Sequence, residues 1–114
     1  MNDSTSVLQQ LATVIESRKR LRPAGSYTVE LLTGGHSLMS AKVIEEAYEL
    51  VAAAGEDADG NPGQIAHEAA DLVYHVLVLL TNADVPWADV ERELQTRFGI
   101  SGLEERSQRP KSET

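Results

Sequence analysis

Apolar residues recur with the period of an α-helix along most of this chain, and no segment alternates apolar with polar residues as a half-buried strand must. That pattern confines the fold to helices packed on helices, an all-α small helical bundle. Val7, Leu8, Leu11, Val14 and Ile15 give one face of a first helix, with Asp3 or Ser4 as its cap. The basic cluster Arg18, Lys19, Arg20, Arg22 and then Pro23 end it. Ser26-Tyr27-Thr28 opens a short helix that stops at Gly34-Gly35. A second long helix spans about 37–54, with Met39, Val43, Ala47, Leu50, Val51 and Ala54 inward. Residues 55–63 read as a loop by their Gly, Asp, Asn and Pro content. A third helix covers about 64–82, with Ile65, Ala69, Leu72, Val73, Val76, Leu77 and Leu80 inward. Pro86 starts a fourth, which turns Val90, Leu94 and Phe98 inward and ends at Gly99.

At 114 residues the chain makes one domain, expected over residues 1–100, and a polar, loosely held tail over 101–114. A domain of this size buries roughly two-thirds of its surface. One-sided stripes on so few helices make a thin core, yet Leu77-Val78-Leu79-Leu80 is apolar all round. A second copy of the chain is the simplest cover, so a homodimer is expected.

Composition removes several function classes. There is no cysteine, hence no thiolate metal site and no cysteine nucleophile. No apolar run approaches the ~18 residues of a membrane helix, and residues 1–10 lack a signal layout. A soluble, cytoplasmic protein without a membrane partner is the expectation. Acids number 18 against 10 bases, and from Lys42 to Glu93 the ratio is 12 to two. So acidic a middle is unsuited to nucleic acid, whose phosphates require Lys and Arg. It suits a phosphorylated small molecule if a divalent cation stands between the two sets of negative charge.

The carboxylates carry the chemistry. On a helical wheel Glu46 and Glu49 form an acidic stripe beside the apolar face of their helix, and Lys42 shares it. Glu68 and Asp71 form a stripe on the next helix, offset in the same rotational sense, with His75 on its line. A short connection makes the two helices antiparallel neighbours. The twofold that relates such a pair carries both stripes to one side, so Glu46, Glu49, Glu68 and Asp71 should meet in one groove. Carboxylates so close repel unless a proton or a cation joins them, and an all-oxygen set selects Mg²⁺, with Mn²⁺ possible. A single Glu-x-x-Glu is ordinarily a solvated helix face; two such pairs bordering one core on consecutive helices are not. A calcium loop is excluded. Asp57, Asp59, Asn61 and Glu68 hold ligand positions, but Pro62 stands where that loop requires glycine.

The string Glu45-Glu46-Ala47-Tyr48-Glu49, followed by Glu68-Ala69-Ala70-Asp71, resembles the EExxE…ExxD signature of the MazG-like all-α nucleotide pyrophosphohydrolases. Ser26-Tyr27-Thr28, Leu31, Gly35, Lys42 and the run from Ala70 to Leu80 look like the phosphoribosyl-ATP pyrophosphohydrolase family of histidine biosynthesis. The likeness spans about residues 26–99. It implies hydrolysis of phosphoribosyl-ATP to phosphoribosyl-AMP and pyrophosphate, with Mg²⁺ polarising the anhydride. It further implies Glu46, Glu49, Glu68 and Asp71 as metal ligands, and Glu45 as the residue that orients water or supports the ligands from behind. Lys42 becomes a phosphate contact, or merely the i,i+4 partner of Glu46. The hydroxyls of Ser26, Tyr27 and Thr28 become phosphate or ribose contacts, or a helix cap and packing. His75 joins the substrate site or is a buried interface histidine.

Leu38 and Ala41 stand where relatives carry basic residues. Arg18, Lys19, Arg20 or Arg22 are candidates to supply that charge. Two other functions stay open on the sequence. One is a house-cleaning nucleoside triphosphate pyrophosphohydrolase of the same superfamily. The other is a non-catalytic helical dimerisation module.

Overall fold

The computed structural model describes residues 6–55 and 60–98, which form four helices and no strand. They are α1 (Val7–Leu21), α2 (Tyr27–Ala53), α3 (Pro62–Asn82) and α4 (Trp87–Phe98). The all-α reading holds. The expected cap at Asp3 or Ser4, the stop at Gly99, the acids Asp57 and Asp59 and the tail from 101 lie outside the described residues.

The starts of α1, α2 and α3 are each set by a short polar side chain. The cap of α1 is Ser6, whose hydroxyl accepts the Gln9 backbone N–H at 3.0 Å. Ser26 caps α2 by accepting from the Val29 N–H at 3.3 Å. Asn61 caps α3 by accepting from the Gln64 N–H at 3.2 Å, and Pro62 takes the first helical position, where its missing N–H costs nothing. Helix α3 therefore begins two residues earlier than its composition suggests. Arg22, in the left-handed region at φ 51°, closes α1 and returns its N–H to the Arg18 carbonyl.

The short helix and the second long helix expected from the sequence are joined end to end as the two arms of α2. They meet at Gly35, which is not helical (φ 80°, ψ −174°). That backbone region is essentially restricted to glycine. The kink lets both arms of α2 pack on α3. The first arm sets Tyr27 and Thr28 against Tyr74 and His75, and the second sets Glu46 against Glu68 and Asp71. Those pairs run in opposite order along the two helices, so α2 and α3 are antiparallel, as the short connection requires.

The core comprises Ala12 and Ile15 of α1, Leu31, Leu32 and Met39 of α2, and Leu77 and Val78 of α3. Leu8, Leu11, Val73, Tyr74, Leu79 and Trp87 pack around it. Several residues expected inward are instead exposed: Val7 and Val14 on α1, Val51 on α2 and Ala54 just past its end, Leu94 and Phe98 on α4. The reason is geometric. Helix α3 can cover only one side of the long arm of α2, and α4 buries none of its residues. Lys19 ties the ends of α1 and α3 together, donating to the Thr81 carbonyl at 3.1 Å and to Asp84 Oδ1 at 2.8 Å.

Candidate functional site

Three carboxylates converge between α2 and α3. One oxygen from each of Glu46, Glu68 and Asp71 lies within 4.8 Å of the other two. Helical spacing accounts for this. Glu68 and Asp71 are three apart on one face of α3, and Glu46 is aimed at them from the second arm of α2. Glu46 is 7% exposed and Glu68 9%. Their Oε1 atoms are buried with no hydrogen-bond partner. Buried polar atoms are almost always satisfied, and two unsatisfied carboxylate oxygens in one cluster suit a cation. The residues present fit a hard divalent ion.

The surroundings hold the cluster in place. Gln64 donates its side-chain amide to Glu68 Oε2, and His67 Nε2 lies 3.4 Å from Asp71 Oδ2. Lys42 Nζ sits 3.3 Å from Glu45 Oε1 and 3.8 Å from Glu46 Oε2. Burial tends to lower the Lys42 pKa, but the Glu45 hydrogen bond and the fields of Tyr27, Glu45 and Glu46 together raise it. Lys42 therefore stays cationic beside the acids. Glu49 lies at the exposed side. The Glu68 charge pushes its pKa up, helped by partial desolvation, by Glu46 and Glu45, and by a hydrogen bond to Glu68.

A second group adjoins the first. His75 is buried, with Nδ1 2.8 Å from the Asp71 carbonyl oxygen and Nε2 3.0 Å from the Tyr27 hydroxyl. A carbonyl only accepts, so in the neutral ring Nδ1 carries the hydrogen and Nε2 accepts from Tyr27. Tyr74 packs edge-on against His75 at 5.0 Å between centroids and lies stacked with Tyr27 at 6.2 Å. The Tyr74 hydroxyl is hydrogen-bonded to Thr28 Oγ1. Desolvation raises the Tyr27 pKa, with Lys42 opposing and Tyr74, Glu46 and Glu45 adding to it.

The family model for phosphoribosyl-ATP pyrophosphohydrolase matches residues 8–98. This chain belongs to the phosphoribosyl-ATP pyrophosphohydrolase family. It is 46% identical to a phosphoribosyl-ATP pyrophosphatase of Methylococcus capsulatus, over 90% of this chain and 95% of that one. It is 44% identical to one of Trichlorobacter lovleyi, over 96% and 98%, and 39% identical to one of Rhodopirellula baltica, over 96% and 92%. The match begins well before Ser26, so α1 is part of the family domain.

This family member brings Glu46, Glu68 and Asp71 into one group and sets Glu49 next to Glu68, outside it. Glu45 points to Lys42 rather than to the cluster. The hydroxyls of Ser26, Tyr27 and Thr28 all have partners within the protein. Lys19 is engaged with Thr81 and Asp84, at the far end of α3 from Asp71. Sequence reasoning passed over Gln64 and His67. Each stands four residues before a carboxylate it contacts, a spacing visible on the wheel.

Proposed function

We propose that this chain hydrolyses the α–β phosphoanhydride of phosphoribosyl-ATP to phosphoribosyl-AMP and pyrophosphate, the second step of histidine biosynthesis, and that the reaction depends on Mg²⁺. The observation that carries the reading is the pair of buried, unpartnered oxygens on Glu46 and Glu68, in a family whose named relatives are phosphoribosyl-ATP pyrophosphatases. Glu46, Glu68 and Asp71 hold the ion, and Glu49 completes the set at the open side. The bound ion supplies Lewis-acid polarisation of the anhydride and offsets the triphosphate charge against the carboxylates. Lys42 meets a phosphate oxygen with its ammonium, exchanging Glu45 for substrate. Glu45, once released, orients the attacking water. Gln64 and His67 fix the aim of Glu68 and Asp71, the supporting contacts that metal ligands ordinarily need.

Two copies of the chain form the working unit, in the cytoplasm. Support for the dimer comes from the face of α2 opposite the site. There Ile44, Tyr48 and Val51 are 70%, 74% and 70% exposed at helical spacing, a stripe that water does not favour.

The test is pyrophosphate release from phosphoribosyl-ATP, with and without Mg²⁺, beside a panel of ordinary nucleoside triphosphates. Mg²⁺-dependent release from phosphoribosyl-ATP alone is expected. Release from the panel instead would move the chain to nucleotide clean-up. No release from any nucleotide, with no Mg²⁺ binding, would refute the assignment.

A further inference from the structure

We infer that the ring of Tyr27, rather than its hydroxyl, is the surface on which the substrate's nucleobase lies, and that His75 is the positioning residue that holds it there. The inference rests on the nucleotide-hydrolase reading above and specifies where the half of the substrate remote from the phosphates binds.

Tyr27 is 47% exposed, yet its hydroxyl is committed to His75 Nε2 at 3.0 Å. Tyr74 covers one side of the ring. More of the residue is exposed than a hydroxyl alone accounts for, so ring surface faces solvent, on a side chain whose orientation is fixed. The fixing is firm, because His75 is itself buried and anchored through Nδ1 to the Asp71 carbonyl at 2.8 Å. Tyr74, which backs the Tyr27 ring, is held in turn by Thr28. Its anchor His75 is held by the carbonyl of Asp71, one of the three clustered acids, so the Tyr27 ring borders the place where a polyphosphate would be held. A nucleotide with its phosphates at Lys42 and the acids needs a flat apolar surface a short way off for its base. Tyr27 is such a surface, and its fixed orientation removes most of the entropy cost of ordering it.

Two measurements test this. In steady-state kinetics with phosphoribosyl-ATP, Tyr27→Leu should raise KM by roughly 5- to 150-fold, the range of base–aromatic stacking, with kcat changed less than about threefold. Tyr27→Phe keeps the ring but loses the bond to His75, so its KM should lie between those of wild type and Tyr27→Leu, and His75→Phe, which breaks the same bond, should match it. In wild-type protein without divalent metal, adenosine monophosphate should shift the Tyr27 ring resonances, and ribose 5-phosphate should not. Equal KM for Tyr27→Leu and wild type, or no Tyr27 shift with millimolar adenosine monophosphate, overturns the inference. A fall confined to kcat also overturns it. If wild-type protein fails to cleave phosphoribosyl-ATP yet adenosine monophosphate shifts Tyr27, the reaction assignment fails and the base surface stands.

Discussion

Glu46→Gln should make the metal-free protein more stable and insensitive to Mg²⁺. Glu46 shares a 4.8 Å neighbourhood with Glu68 and Asp71. At an effective dielectric of about 20, two unit charges at that separation repel by about 3 kcal/mol. Lys42, 3.8 Å from Glu46, offsets about one such interaction. Charge shared over two oxygens and partial screening at Asp71 reduce the remainder. The neutral amide removes the repulsion and can donate to Glu68 Oε1, which has no partner. The metal-free variant should therefore gain about 1–3 kcal/mol, a rise in Tm of roughly 4–12 °C for a domain of this size. Wild-type protein at Mg²⁺ one hundred times its Kd should gain about 2.7 kcal/mol, and the variant almost nothing. Thermal melts of both proteins, with and without Mg²⁺, should thus change order when the ion is added. Equal Mg²⁺ shifts in the two proteins would refute a cation held by Glu46. A less stable metal-free variant would refute the repulsion on which the argument depends.

Three further predictions follow from other parts of the molecule. Because the folded pKa of Glu49 lies above the ordinary value of 4.5, the native state holds more protons than the unfolded one just above that pH. Metal-free stability should therefore fall as pH rises through and above 4.5, and saturating Mg²⁺ should flatten that slope; urea melts across pH give the comparison. Gly35→Ala places a Cβ in open space but in a backbone region closed to alanine, so it should cost about 1–3 kcal/mol in denaturant melts and raise KM by moving Tyr27 relative to Glu46. By sedimentation equilibrium wild type should run as a dimer and Tyr48→Asp as a folded monomer, and equal masses would dismiss the α2 stripe as the interface.

The sequence by itself determined the helices, the start of the second at Ser26 and the break at Gly35, because caps and glycines act through neighbouring backbone atoms only. It also determined that Glu46 would meet Glu68 and Asp71, since helical period and a short antiparallel connection leave those stripes nowhere else to go. Tertiary structure decided what depends on which surfaces meet. The exposure of Val14, Val51, Leu94 and Phe98 follows from how little of α2 and α4 the single chain covers, and no wheel reports coverage. The pairing of Tyr27 with His75 was equally hidden. It requires the Gly35 kink to carry the first arm of α2 onto α3, and the angle of a kink is set by the packing beyond it. Only the folded contact shows that the Tyr27 hydroxyl already has a partner.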